Sequence, residues 1–237
     1  MFRTIRTIAA VALAACAIAA PSQAGPIIDW DPAYFYTNPG SGATPLSSPP
    51  GTQLFIVGTI SAFGPPLQFL NANDPTKDYT FYLYGFTSLG TTPFPVPPFG
   101  TAYVATYDPG FIEIYEGTPR DAVFDINPPN GNVPSTFTNG TLILSGTVTS
   151  FYTQTNDFST FQTGNAEGTI TWTGGTLLSY VSQGGQPWPS LFTGGLSWQP
   201  GVMIEGYLFR HDGKIDLDCP TPARTSTWGK VKALYRQ

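Results

Sequence analysis

Residues 140–181 read GTLILSGTVTSFYTQTNDFSTFQTGNAEGTITWTGGTLLSYV, and this stretch decides the fold class. In its second half Ile170 and Trp172 point one way while Thr169, Thr171 and Thr173 point the other. Alternation with period two is what a strand with one dry and one wet face requires. In its first half Leu142, Leu144, Val148 and Tyr152 share a face, with Thr141, Ser145, Thr147 and Thr149 opposite. Ile143 and Phe151 break that second face.

The same chemistry extends outward in both directions. TQLFIVGTISAF (52–63) and DYTFYLYGF (78–86) read as strands. TAYVATY (101–107) and FIEIYE (111–116) read as two strands across a turn at Asp108-Pro109-Gly110, and 121–126 as a further short strand. FPVPPFG (94–100) carries too many prolines for a central strand. GLSWQ (195–199) is a short strand with Leu196 and Trp198 on one face. Residues 202–219, VMIEGYLFRHDGKIDLDC, read as a hairpin turning at Asp212-Gly213, a favoured type I′ pair. Ile215, Leu217 and Cys219 then face in, and Lys214, Asp216 and Asp218 face out. GTISAF (58–63) and GTVTSF (146–151) match in character, and each precedes a TFYLYG or TITWTG strand. That similarity fits either two related halves or Thr-rich strands alike by composition. No useful helical period occurs between residues 25 and 220.

These elements predict an all-β protein: one antiparallel β-sandwich, jelly-roll-like, over residues 52–219. An irregular Pro/Gly/Ser-rich arm, 25–51, precedes it, and a linker with a short basic amphipathic tail helix, 220–237, follows. The 26 glycines and 24 prolines belong to turns, because 14% aromatic residues supply the apolar mass that a disordered chain lacks.

Only 11% of the 237 residues are charged. All 15 acids lie between Asp29 and Asp218, where the only bases are Lys77, Arg120, Arg210 and Lys214. An acidic body excludes nucleic acid and anionic membrane surfaces as partners. MFRTIRT followed by the apolar run 8–20 and PSQA reads as a signal peptide, 1–24, cleaved before Gly25. The run is too short for a transmembrane span. Leu13-Ala14-Ala15-Cys16 also resembles a lipobox, so lipidation at Cys16 is the competing route. Both routes predict an exported protein, extracellular or on the cell surface.

The residues that could carry chemistry are few. His211 is the sole histidine, so a zinc site or a His-based triad has no constellation to draw on. Beside a turn it is expected at the surface. Leu208 and Arg210 stand where an EF-hand around Asp212-Gly213 would need oxygen ligands. No metal or cofactor is therefore assigned; structural calcium between separated loops is left open without a motif. Cys219 is the one ordinary thiol after processing and is expected to be buried at a strand end. Glu113 and Glu116 have opposite parity on one strand, and Glu167 and Glu205 stand alone, so no carboxylate pair of the glycosidase kind is visible. Aromatics offer more. Trp188, between Pro187 and Pro189, is the first candidate sugar platform, followed by Trp30, Tyr34 and Tyr36. In the tail, Trp228, Val231, Leu234 and Tyr235 follow helical spacing with Lys230, Lys232 and Arg236 around them, a surface for docking on a partner or on the body itself.

The TWTGGT run (171–176), the GYLFRHDGKIDLD segment and the Trp-bearing tail resemble secreted bacterial β-proteins of unknown function, many of which carry a short C-terminal sorting sequence as PEP-CTERM proteins do. This chain has no Pro-Glu-Pro and no C-terminal membrane span. The resemblance implies export and surface or matrix association, and carries over no functional residue. The reading is of a non-catalytic exported protein, structural or adhesive, with polysaccharide or cell-envelope components as partners. The alternatives are a carbohydrate-binding module using exposed aromatics and a secreted hydrolase with a carboxylate site.

Overall fold

The computed structural model describes residues 26–97, 100–158 and 161–218. The leader, Cys16, Cys219 and the tail with Trp228, Lys230, Val231, Lys232, Leu234 and Tyr235 lie outside the described residues. The long strands are β1 (Pro26–Thr37), β2 (Gln53–Phe63), β3 (Asp78–Pro95), β4 (Thr101–Tyr107), β5 (Gly110–Gly117), β6 (Thr141–Asp157) and β7 (Gln162–Gly174). A four-residue turn of helix, α1 (Ser135–Thr138), precedes β6. A 3-10 turn (Leu178–Val181) and a two-stranded ribbon, β8 (Ser182–Gln183) with β9 (Gln186–Pro187), fill the connection to β10 (Ser190–Trp198). The last strand is β11 (Phe209–Leu217). No described helix is long and apolar enough to cross a membrane.

The protein is all-β and antiparallel, as the alternation predicts, but it is a barrel and not a two-sheet sandwich. Around the wall each strand pairs with the next one along the ring, β7 with β10 past the small ribbon, and β1 pairs with β11 to close it. The two segments β4 and β5 occupy one position. Thr101–Tyr107 pairs with the far halves of β3 and β6, and Gly110–Gly117 with their near halves. They run end to end as one interrupted strand, so Asp108-Pro109 is a break and not a hairpin turn. The result is an eight-stranded up-and-down barrel. GTISAF and GTVTSF lie on β2 and β6 of that single ring, and not on two facing halves.

Three local readings change for the same reason, nonlocal pairing. The supposed arm supplies β1, with Ile27, Trp30, Ala33 and Phe35 at 0% exposure. The supposed hairpin about Asp212-Gly213 is the middle of straight β11, held on both sides by Trp30↔Gly213 and Gly194↔Gly213. With two neighbouring strands pairing through it, the Asp-Gly pair cannot turn. His211 is therefore not a surface residue; its ring points into the barrel and is 0% exposed. Residues 121–126 form no strand; they belong to the loop that covers β1 and β2 from outside. Pro93 and Pro95 fall inside β3, at its end, where the pairing with β4 terminates.

The broken alternation in 140–157 comes from β-bulges. Leu144, Gly146 and Val148 face in; Ser150 takes φ 53 and the pairing with β7 slips between Thr149 and Tyr152. One extra residue reverses parity, so Phe151, Thr153 and Thr155 face in and Tyr152 turns out. Gly85 at φ 81 does the same on β3, bringing Phe86 inward, 4.6 Å from Phe151.

An eight-stranded barrel is just wide enough for side chains to fill it. Here aromatic rings fill it, and glycine makes the room. A Cβ on Gly58 would lie 2.4 Å from the Phe81 ring, and one on Gly213 would lie 2.8 Å from both Trp30 and His211. Trp30 stacks on Phe192 at 5.0 Å and tilts against Phe81 at 4.9 Å. Its Nε1–H donates to His211 Nδ1 at 3.1 Å. His211 is thus a neutral ring with its proton on Nε2, which has no partner at hydrogen-bond geometry. Burial drives its pKa down to about 3, weakly opposed by the Gly194 backbone.

Both ends are plugged. Leu67, Leu70, Leu177, Leu178, Val181 and Trp188 pack on the core from the β2–β3 and β7–β10 connections. At the other end residues 44–48 of the β1–β2 loop lie across the mouth.

Candidate functional site

With the interior occupied, side chains able to meet a partner lie on the outer wall and in the loops at the barrel ends, and the wall carries the longer aromatic row. Tyr82 and Tyr84 share parity on β3, and Phe111, Glu113 and Tyr115 share it on β5. The pairing Tyr82↔Glu113 and Tyr84↔Phe111 sets these two rows side by side. The row continues onto β2 and β1 through Phe55 and Tyr36, since Tyr36 pairs with Phe55. Ring centroids step by 5.1 Å from Tyr36 to Phe55, 6.3 Å to Tyr82, 5.0 Å to Tyr84 and 5.4 Å to Phe111. Successive planes differ by only 22°, 8°, 18° and 32°.

The two ends of this row differ. At the β1 end a second apolar cluster roofs it. Val133, Phe137 and Tyr207 come from the loops before β6 and β11, and Thr80 Oγ1 ties the roof down by donating to the Phe137 carbonyl at 2.8 Å. Tyr36 is 1% exposed beneath this cover, and Tyr34 packs on Phe124 and Tyr207 at 4.9 and 5.1 Å. At the β5 end the row is open, and Phe111 is 46% exposed.

Glu113 stands at the open end. The Tyr84 hydroxyl donates to its Oε1 at 3.0 Å and the Tyr115 hydroxyl to its Oε2 at 2.5 Å. Partial burial raises the pKa of Tyr82, Tyr84 and Tyr115; the Glu113 charge raises it further for all three, and for Tyr84 and Tyr115 so does the hydrogen bond to Glu113. The phenols therefore stay neutral donors, and they hold a partly exposed carboxylate with acceptor capacity to spare. Such a group can accept hydrogen bonds from a hydroxyl-bearing ligand, with aromatic edges and the Phe111 ring offering apolar contact.

On the wall formed by β1, β7, β10 and β11 lies a hollow of about 470 Å³, lined by Asp29, Asn165, Thr193, Gly195, Asp212 and Lys214 among others. Lys214 turns to Asp216 at 2.8 Å. Partial burial raises the pKa of Asp29, and the nearby Asp212 carboxylate adds to it. The other acids are dispersed. Glu116 pairs with Lys77 at 2.5 Å, on the opposite side of its strand from Glu113 as parity predicts, and Glu167 accepts from Asn165 at 3.1 Å. Among the described residues no group of three or more His, Cys, Asp and Glu could hold a metal ion.

The four aromatics singled out from sequence do not converge. Trp30 is inside the barrel and Tyr36 is covered, so neither offers a ring face to a sugar. The reason is the pairing of β1, which the reading of 25–51 as irregular excluded. Tyr34 belongs to the roofed cluster. Trp188 is half-buried against the core at the barrel end, its backbone N–H donating to the Val181 carbonyl at 2.9 Å. The residues missed are Tyr82, Tyr84, Phe111, Glu113 and Tyr115. Their shared parity was visible in DYTFYLYGF and FIEIYE; their adjacency required the register between the two strands. No protein-family model, no curated protein and no solved structure matches this chain.

Proposed function

We propose that this chain is a non-catalytic exported protein of the cell surface or extracellular matrix, adhesive or structural, whose contact surface is the aromatic outer wall around Glu113. The observation that carries the reading is the pair of phenols holding Glu113 at the open end of an aromatic row. A carboxylate acceptor beside rings suits the hydroxyls and C–H faces of a sugar, and its charge selects against polyanions, so the partner class is neutral polysaccharide. Affinity electrophoresis of residues 25–237 through gels containing neutral or anionic polysaccharides tests it. Retardation by a neutral glycan, lost on Glu113→Gln and on Phe111→Ala with unchanged melting, supports the assignment. Retardation equal in wild type and both variants removes this wall as the contact surface, and no retardation by any glycan leaves only the structural role.

One observation favours a second reading, a secreted hydrolase. Asp29 and Asp212 line one hollow, and the pKa of Asp29 is raised there. A carboxyl group pushed toward its protonated form beside a second carboxyl group supplies elements of acid–base hydrolysis. Glycan turnover abolished by Asp29→Asn would favour that reading over adhesion.

A further inference from the structure

The mouth of the barrel beyond β1 and β2 is closed by the chain itself. Residues 44–48 lie across it, and beneath them Phe35, Leu54, Ala105 and Phe209 give an apolar floor while Tyr107 and Thr153 give hydroxyls. Among the described residues no charged side chain lines this cleft. Its free space is about 10 Å³, roughly the room one water needs. Ser48 is 6% exposed, and its Oγ faces the Tyr107 hydroxyl without reaching hydrogen-bond geometry to any group. The strap therefore brings an unpartnered hydroxyl into a buried, hydroxyl-lined seat, which is an incomplete fit.

The attachment of the strap is slight. Thr44 and Ser47 bond to each other, at 2.8 and 3.1 Å. The wall holds the segment through Ser48 and the residues after it: the Ser48 N–H on Thr91 Oγ1 at 2.8 Å, the Ser88 and Thr91 hydroxyls on the Ser48 carbonyl at 2.9 and 3.4 Å, the Gly51 N–H on the Ser88 carbonyl at 2.8 Å and the Ser88 N–H on the Thr52 carbonyl at 2.8 Å. Gly42 at φ 71 precedes it and Gly51 at φ 86 follows it, each with open space where a Cβ would sit. Those are backbone positions at which a hinge rotates without steric cost.

We propose that the barrel mouth is a binding site for a small neutral amphiphile, an apolar body bearing one hydroxyl, and that strap 44–48 is its lid. The ligand's body takes the place of Pro45 and Leu46 on the apolar floor. Its hydroxyl takes the place of the Ser48 hydroxyl beside Tyr107 and Thr153. Because the closed strap occupies the seat, apparent affinity is reduced by the fraction of molecules that are closed. This site is separate from the outer wall and stands independently of the glycan reading.

The test is titration of residues 25–237 with 1-octanol, and with octanoate as the charged counterpart, followed by calorimetry and residue-resolved amide exchange. The expected result is saturable binding of 1-octanol, at least tenfold weaker binding of octanoate, and at least tenfold faster exchange at the Ser48 and Gly51 amides with none at Val148. Thr153→Val weakens binding about tenfold, and Leu46→Gly, which leaves the walls intact, tightens it by a similar factor. Absence of saturable 1-octanol binding in both wild type and Leu46→Gly overturns the proposal. So does binding that leaves Ser48 and Gly51 protected, or binding indifferent to Thr153→Val in a folded protein.

Discussion

Acid should unfold this protein through His211. The imidazole is wholly enclosed, packed against Phe35 and Phe192 at 5.2 Å and Trp30 at 5.6 Å, with no carboxylate among these neighbours. Its pKa falls to about 3 in the fold against 6.5 in an unfolded chain. The unfolded state therefore binds a proton that the native state refuses. Stability from this group is complete above pH 6.5, declines as pH falls through the window from 6.5 to about 3, and is level below it. The slope in the window is about 1.4 kcal/mol per pH unit, so between pH 7.5 and 4.5 the loss is roughly 2.7 kcal/mol. Asp29, with a raised pKa, acts in the opposite sense, which is why the comparison must be with a variant that shares it. His211→Gln keeps an acceptor for the Trp30 N–H and does not titrate. Urea unfolding of both proteins at pH 7.5, 5.5 and 4.5 should show wild type losing roughly 2.7 kcal/mol more than the variant over that range. Parallel pH profiles for the two would refute the buried, neutral assignment of His211.

Three further outcomes follow from the packing. Gly58→Ala places a methyl within 2.4 Å of the Phe81 ring and 2.7 Å of Ala33, and should lower stability by about 1–3 kcal/mol, partly restored by Phe81→Leu. Thermal or urea melts read this directly, and a neutral Gly58→Ala would mean that the ring has another place to go. Leu67→Ala removes a plug residue at 0% exposure and should cost about 2–5 kcal/mol, measured by urea midpoint. Thr80→Val deletes the hydroxyl that holds the Phe137 carbonyl at 2.8 Å; faster exchange across 133–138 with little change in the β6–β7 amides is the expected signature.

Most of the strands between residues 52 and 174 were legible because alternation is a local property. Ile170 and Trp172 against three threonines required a half-buried strand wherever it went, and Ile215 and Leu217 faced in as their parity predicts. The acidic, charge-poor character of the body, the absence of a histidine constellation and the opposite facing of Glu113 and Glu116 were equally readable from the residues. Sandwich and barrel, however, present the same alternation to a reader of the chain. What separates them is whether 26–37 pairs with 209–217, a contact nearly two hundred residues long in sequence. That one pairing turned an apparent arm into β1, straightened an apparent Asp-Gly turn into β11, and carried Trp30 and His211 from expected exposure into the core. Parity failed where bulges interrupt the strands, as at Ser150 and Gly85, where one inserted residue changes the face of the side chains beyond it. The Glu113 wall and the strapped mouth belong to the same category. Their residues come from different strands and loops, and closure of the ring, a balance of long-range packing against chain entropy, is what brings them together.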